Sequence, residues 1–351
     1  MRTELFILRG KRICGPIDLQ PNNKCFKMER RVFVKSLATA LFGFQIPVFS
    51  TELLSGVSQP FKLGIVGLDT SHAMEFVKII NHEIYRSQFQ IIGAYPFGNS
   101  NLSPRSEDRI KRYSKEFEDL KISIYQNLDD LLKDVDGVLL ETNDGGMRLE
   151  QARKIFNYQK PVFLDKPIGS TWEDVYTILT EAKTNKVPVF SSSALRYIAS
   201  IQELDIRKVK GCEVIGPLEV EKSHSYFYWY GIHGIEMMVA LMGLGCVSVK
   251  CISHGDFELV EALWKDGRKG QYKGVYSSSQ GFGGQVCLED EIRQLGGFEG
   301  YENLVFKISE FFLEGISEVS IEETLEIYAI MEAAGKSKEL NGLEIKIVEF
   351  I

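Results

Sequence analysis

Three groups of residues have types and spacings that could carry chemistry. The first is GIVGLDTSH, Gly64 to His72, which follows an apolar run and precedes a helical pattern. A strand-to-helix turn of this kind aims backbone N–H groups and the helix dipole at an anion. Gly64 and Gly67 stand three apart, a GxxG spacing rather than GxGxxG, and Asp69-Thr70-Ser71 replaces the third glycine. Gly67, with Leu68 beside it, would let a diphosphate approach the backbone. Asp69, Thr70 or Ser71 would cap the helix or meet the nucleotide. His72 would cap, bind the nucleotide or face a substrate.

The second group is LDKPIG, residues 164–169. Lys166 follows Asp165 at the carboxyl end of an apolar strand, where its ammonium would polarise a substrate hydroxyl or carbonyl. A salt-bridged surface lysine is the alternative. The third is YGIHGIEMM, residues 230–238, with His233 and, one helical turn on, Glu236. The aromatic string Tyr226-Phe227-Tyr228-Trp229-Tyr230 before it suits sheet packing or the face of a sugar. His224, His233 and Glu236 form a metal cluster only on paper, and the six cysteines show no CxxC pair, so no metal is expected.

These groups need elements to place them. FKLGIVGL (61–68), QIIGAY (90–95), ISIY (122–125), GVLLET (137–142), PVFLDKP (161–167) and PVFSSSA (188–194) read as strands separated by helical stretches. Repeats of about 20–30 residues per strand–helix unit imply a doubly wound parallel sheet, an α/β Rossmann arrangement. The first helix is expected over 73–85, and a polar loop (97–106) leads to a charged helix ending near Leu120. The second strand ends Ala94-Tyr95-Pro96, with no acid for ribose hydroxyls; Asn99, Ser100 and Arg105 would hold a ribose phosphate or simply be solvated. After residue 196 the pattern becomes alternation with glycine turns, which predicts an α+β domain with an open, mostly antiparallel sheet. A helix over 233–242 is inserted in it. A helical pair (301–314, 321–335) and a last strand, LEIKIVEF, follow. The expected domains are an extension and signal segment over 1–57, a dinucleotide-binding domain over 58–195, and a substrate and oligomerisation domain over 196–351.

The glycine turn, DKP about a hundred residues later, SSSALRY (191–197) and YGIHGIEMM occur in that order, and together they resemble the Gfo/Idh/MocA oxidoreductases. The resemblance spans roughly residues 60–340. It implies NAD or NADP as cofactor and a sugar or cyclitol as substrate. It implies that Lys166 lies near nicotinamide and substrate, and that His233 is the catalytic histidine of the second domain. Cofactor contacts are then expected from Gly64, Gly67, Leu68, Asp69, Thr70, Ser71 and His72, and from Thr142, Asn143, Asp165 and Lys166. Substrate contacts are expected from Arg196, Tyr230 and Glu236. The chain departs from the family in two further places: Trp229 stands four residues before His233 where the family has Asp, and the ribose acid is missing. Glu236 would stand in for that Asp. Two other readings stand beside this one: a glycosidase-like enzyme using tightly bound, recycled NAD, and a non-catalytic sugar-binding protein on a Rossmann scaffold. The first would suit an exported protein because it needs no free NAD; the two departures motivate the second.

The 351 residues are 44% apolar and 25% charged, the composition of a soluble globular chain with a sizeable core. Net charge is −7, without Lys/Arg runs interleaved with aromatics, so no nucleic-acid partner is expected. MERRVFVKSLATALFGFQIPVFS, residues 28–50, carries a twin arginine (Arg30, Arg31), a lysine and a short apolar stretch. It resembles a twin-arginine export signal, which implies a periplasmic or otherwise exported protein. The stretch is too short and interrupted for a comfortable membrane span. Met28 would make a more natural start than Met1. A homo-oligomer is expected by analogy alone.

Overall fold

The computed structural model describes residues 59–351 apart from 83–84, 86, 99–103 and 278. The twin-arginine segment, Cys14, Cys25, the Asn99–Ser100 loop and the Arg105 side chain lie outside the described residues.

The first part of the chain is a six-stranded parallel sheet with helices between the strands. β1 (Phe61–Val66), α1 (Ser71–Ile80), β2 (Phe89–Tyr95), α2 (Pro104–Asp119), β3 (Ser123–Ile124), α3 (Leu128–Asp134), β4 (Gly137–Leu140), α4 (Gly145–Asn157), β5 (Val162–Leu164), α5 (Trp172–Asn185) and β6 (Val189–Phe190) follow one another. The strand order is β3-β2-β1-β4-β5-β6. Strand order reverses between β1 and β4, and their carboxyl ends therefore diverge into the crevice where such sheets bind ligands. The central strands carry apolar residues on both faces because helices cover both sides; all four residues of β4 are buried.

Side-chain caps set the helix starts. Thr70 at α1, Asn127 at α3, Asp144 at α4 and Thr171 at α5 each accept a hydrogen bond from the first turn. The first helix ends at Ile80 rather than running to residue 85, because the polar Asn81 caps it and returns its N–H to Val77. Several strands are shorter than their apolar runs: β6 keeps two residues, and the serines after it bend into a 3-10 turn at Ala194–Tyr197.

The short α6 (Ala199–Gln202) then leads to the second sheet. It comprises β7 (Gly211–Pro217), α7 (Gly231–Met242) as its inserted helix, β8 (Cys246–Ser253), β9 (Phe257–Trp264), β10 (Lys269–Val275), β11 (Gly283–Cys287) and β12 (Ile292–Leu295). After α8 (Glu302–Glu314) and α9 (Ile321–Glu339), β13 (Ile345–Lys346) adds the last edge strand. The order is β12-β11-β7-β10-β9-β8-β13, antiparallel except for the β7–β10 pair. The aromatic string 226–230 is not part of this sheet. It forms turns that enter α7, burying Phe227 and Tyr228. Of LEIKIVEF only Ile345–Lys346 pairs as strand.

Two packing relations position the site. α7 lies directly on the sheet: a Cβ at Gly234 would come within 2.1 Å of the Tyr272 ring, so only glycine allows the approach that sets its neighbour His233. α8 returns to the first sheet, and Leu304, Val305, Ile308, Phe311 and Phe312 join Leu63, Ile65, Phe76 and Val77 in one apolar cluster. Each such buried side chain contributes about 1.5–3 kcal/mol. The first sheet ends with β6 at Phe190 and the second begins with β7 at Gly211, yet α8, from late in the chain, closes the first of them. Among the described residues, no helix is long and apolar enough to cross a membrane.

Candidate active site

At the carboxyl edge of β1, Gly67 adopts φ +94°, and a Cβ there would lie 2.4 Å from the backbone N and Cα of Thr142. The β1–α1 turn is thereby pressed against the end of β4. Ser71 and His72 open α1 beside it. The His72 Nδ1 lies 2.7 Å from Oδ2 of Asp165, at the end of β5, and its ring packs on Phe76 and Tyr301 at centroid distances of 5.8 and 4.9 Å. Lys166 follows. From the other sheet, α7 brings His233, whose Nδ1 lies 2.7 Å from the Ser193 hydroxyl. These groups line one cavity of about 290 Å³, with Ser192, Tyr230, Phe282, Phe298 and Tyr301 completing its walls. A cavity of that size suits a sugar-sized molecule.

The charges in it are uneven. Burial pushes the Lys166 ammonium below the usual lysine value, and Arg148 adds to this against the pull of Asp165 and Glu141. Burial also lowers His233 well below the ordinary imidazole value, and the charges of Lys166 and His72 lower it further, so its ring is neutral at pH 7. Burial opposes ionisation of Asp165, but His72, Lys166 and Arg148 together hold its carboxyl well below the carboxylate range. Glu141, fully buried beside it, is raised well above that range by burial and by Asp165.

Several expected contacts lie elsewhere. Gly64 is inside β1, not in the turn; a Cβ there would meet Val135 and Leu131 at 2.9 and 3.1 Å, so its smallness serves helix packing. Leu68 buries its side chain in the core and gives its N–H to Pro96. Arg196 and Glu236 do not line the cavity. Arg196 is buried in ion pairs with Glu236 and Glu323, and Glu236 also accepts from Ser192 and the Ser193 N–H. Glu236 therefore does not take the place of the missing Asp. Ser193 is the partner of His233, a role that SSSALRY did not disclose. Tyr301 and Phe298, over a hundred residues further on, also carried no signal. His224 is spent outside the cavity: its Nε2 accepts the Gly145 N–H at 3.0 Å, and Trp229 packs on its ring.

His72, Glu141 and Asp165 bring ligand atoms within 4.8 Å of one another, close enough to consider a metal. However, His72 and Asp165 are bonded to each other, Arg148 donates to the Asp165 carbonyl, and Lys166 adjoins both carboxyls. Cations of the protein itself supply the compensating charge.

A dinucleotide fits this edge, given the register that the turn sets. Counted from Gly67, the fingerprint reads Gly67-x-Asp69-x-x-His72, with an acid and a histidine at the second and third glycine positions. The Asp69 side chain is turned away from the cavity; its Oδ1 accepts the Asn143 N–H at 3.0 Å. Burial raises its carboxyl above the usual range, against the Asn143 N–H and Arg148, which lower it. Thr70 serves as the cap, accepting from the His72 N–H, and Thr142 gives its carbonyl to Arg148. Of the expected cofactor contacts, Ser71, His72, Asp165 and Lys166 are on the cavity wall and would be the ones to hold the group there.

The fold is a Rossmann-type parallel sheet followed by a second, mostly antiparallel sheet, with one cavity lined from both. Residues 61–193 match the Gfo/Idh/MocA model, described as an oxidoreductase family with an NAD-binding Rossmann fold. No curated protein sequence matches the chain. Among solved structures, scyllo-inositol dehydrogenase from Lactobacillus casei is similar at TM-score 0.65 and 14% identity, over 83% of this chain and 99% of that one. Myo-inositol 2-dehydrogenase from Lactobacillus plantarum gives 0.66 and 14%, over 82% and 99%. GenD2 from gentamicin A biosynthesis, solved in complex with NAD, gives 0.66 and 12%, over 83% and 97%. At such identities the likeness is one of fold. The matched segment is that of an NAD-binding domain.

Proposed function

We propose that the chain is a Gfo/Idh/MocA-type oxidoreductase that uses NAD or NADP to interconvert a hydroxyl and a carbonyl on a sugar or polyol. The observation that carries this reading is the shared cavity: Lys166 from the cofactor domain and His233 from the second sheet's helix face one sugar-sized space. When bound, the nicotinamide supplies the hydride exchange. Lys166 donates to the reacting oxygen, and its lowered pKa eases proton movement through it. Neutral His233, held at Nδ1 by Ser193, lines the same space. The aromatic walls from Tyr230, Phe282 and Tyr301 exclude water and offer faces to sugar C–H groups.

The test is cofactor content first, by absorbance after denaturation of the purified chain, then NAD(P) reduction over a panel of inositols, hexoses and alditols. Absence of both NAD(H) and NADP(H) binding, in as-purified and in titrated protein, would sink the reading. Lys166→Ala is expected to lower turnover about 10²–10⁴-fold on any polyol the panel reveals. We also propose export through the Arg30-Arg31 segment and assembly as a homo-oligomer. The first rests on the sequence pattern alone and the second on analogy.

A further inference from the structure

We propose that His72, held by Asp165, is the group that receives the substrate's hydroxyl proton, with His233 confined to binding the oxygen. This rests on the oxidoreductase reading and redistributes the roles within that site.

Two imidazoles line the cavity, and their partners differ. The His233 Nδ1 faces a neutral hydroxyl, Ser193 at 2.7 Å, while the His72 Nδ1 faces a carboxylate, Asp165 at 2.7 Å. Accepting a proton creates an imidazolium, and the site must compensate that charge. Only the carboxylate does so; it also fixes the tautomer, placing the proton on Nδ1 and the lone pair of Nε2 outward. Burial opposes a positive charge on His233, and the Lys166 ammonium adds to the penalty. Asp165 and His72 are 4% and 11% exposed at the side chain, so solvent screens the pair little.

The surroundings of His72 support the same division. Tyr301 packs edge-on against its ring from the segment before α8, and Phe76 stacks on it from α1. The other titratable groups about the pair are Glu141 from the end of β4, Arg148 from α4, Lys166 beside Asp165 and His233 from α7. Among the described residues the His72 Nε2 has no protein partner, and it belongs to a cavity-lining side chain. The step balances simply. With an oxidised nicotinamide bound, that cofactor would take the hydride of the substrate C–H bond, His72 Nε2 would take the O–H proton, and the C–O bond would become C=O. In the reverse direction the imidazolium returns the proton.

A glycine at the third fingerprint position packs helix against strand; a histidine there puts an acid–base group at the opening of α1. The replacement that weakens the nucleotide fingerprint thus has a chemical use.

Long-range 1H–15N spectra of the intact chain, with His72 assigned by its loss in His72→Gln, read the tautomer without any substrate. The expected result is a proton on Nδ1 and a bare Nε2 in the neutral ring, with Asp165→Asn releasing this preference. A neutral ring protonated at Nε2 overturns the proposal. On a polyol that the chain oxidises, His72→Gln should lower kcat about 10²–10⁴-fold. Its cofactor affinity, from fluorescence titration, should stay within about threefold, whereas His233→Ala should mainly raise KM. Full turnover in His72→Gln, or a loss confined to NADH affinity, overturns the proposal while leaving the oxidoreductase reading intact. Failure of the unmutated chain to bind either NADH or NADPH overturns both.

Discussion

Ser193 and His233 are joined across the two sheets by a 2.7 Å contact between hydroxyl and Nδ1, so the serine turn after β6 sets the ring of a histidine on α7. Trp229, which occupies the position where an aspartate was expected, instead packs on His224 at 5.3 Å. A neutral partner orients the imidazole without stabilising its charge. Ser193→Ala should therefore cost about 1 kcal/mol of alignment, a fall in kcat/KM of roughly 5–10-fold. NADH affinity should not change. Steady-state kinetics on a polyol substrate and NADH titration check both halves, and an unaltered kcat/KM would show that the contact does not orient the ring productively.

Gly67 meets the backbone of Thr142 so closely that even alanine is excluded. With φ at +94° and a Cβ contact of 2.4 Å, the turn and the end of β4 must separate. Gly67→Ala is expected to destabilise the chain by about 2 kcal/mol or more and to lose dinucleotide binding with it. Thermal unfolding and NADH titration on the same sample measure this. A variant with unchanged Tm would contradict the packing described.

His224 accepts the Gly145 N–H at the start of α4, which requires a neutral Nε2. Burial lowers its pKa below that of an ordinary imidazole, with Arg148 contributing against the pull of Asp144. The unfolded chain therefore binds this proton more readily than the folded one. The contribution to stability is complete above about pH 6.5 and is lost as pH falls through and below that value. His233, lowered in the same direction, adds to the loss. Tm should drop between pH 7 and pH 5, and His224→Gln, whose amide oxygen keeps an acceptor, should flatten part of that slope. A pH-independent Tm over this range would refute the assignment.

Export is checked at the arginine pair. Replacing Arg30 and Arg31 by Lys should hold the precursor in the cytoplasm of a host with a twin-arginine pathway, because the receptor reads the arginines. Cell fractionation with immunodetection measures it. Periplasmic protein in the double variant would remove the export proposal.

The architecture was legible from the chain because parallel strands buried on both faces leave continuous apolar runs, and FKLGIVGL and GVLLET are such runs. The order of glycine turn, DKP and second-domain histidine was also visible, since each lies in one local segment. Strand lengths were not, as serines such as those after Phe190 bond to side chains rather than to a neighbouring strand. Which residues meet in the site was decided by tertiary structure. His72 and Asp165 are 93 positions apart and Ser193 and His233 are 40 apart; no spacing rule relates them. Arg196 and Glu236 looked suited to a substrate but neutralise each other in the interior, where an unpaired charge would be costly. The sequence alone determined the elements and which residue types stand at their ends. Only the crossing of two sheets, with α7 seated on Tyr272 and α8 returning over β1, decided which ends face a common cavity. Those contacts arise from burying apolar faces against one another, and the polar groups at the strand ends are carried to wherever that burial places them.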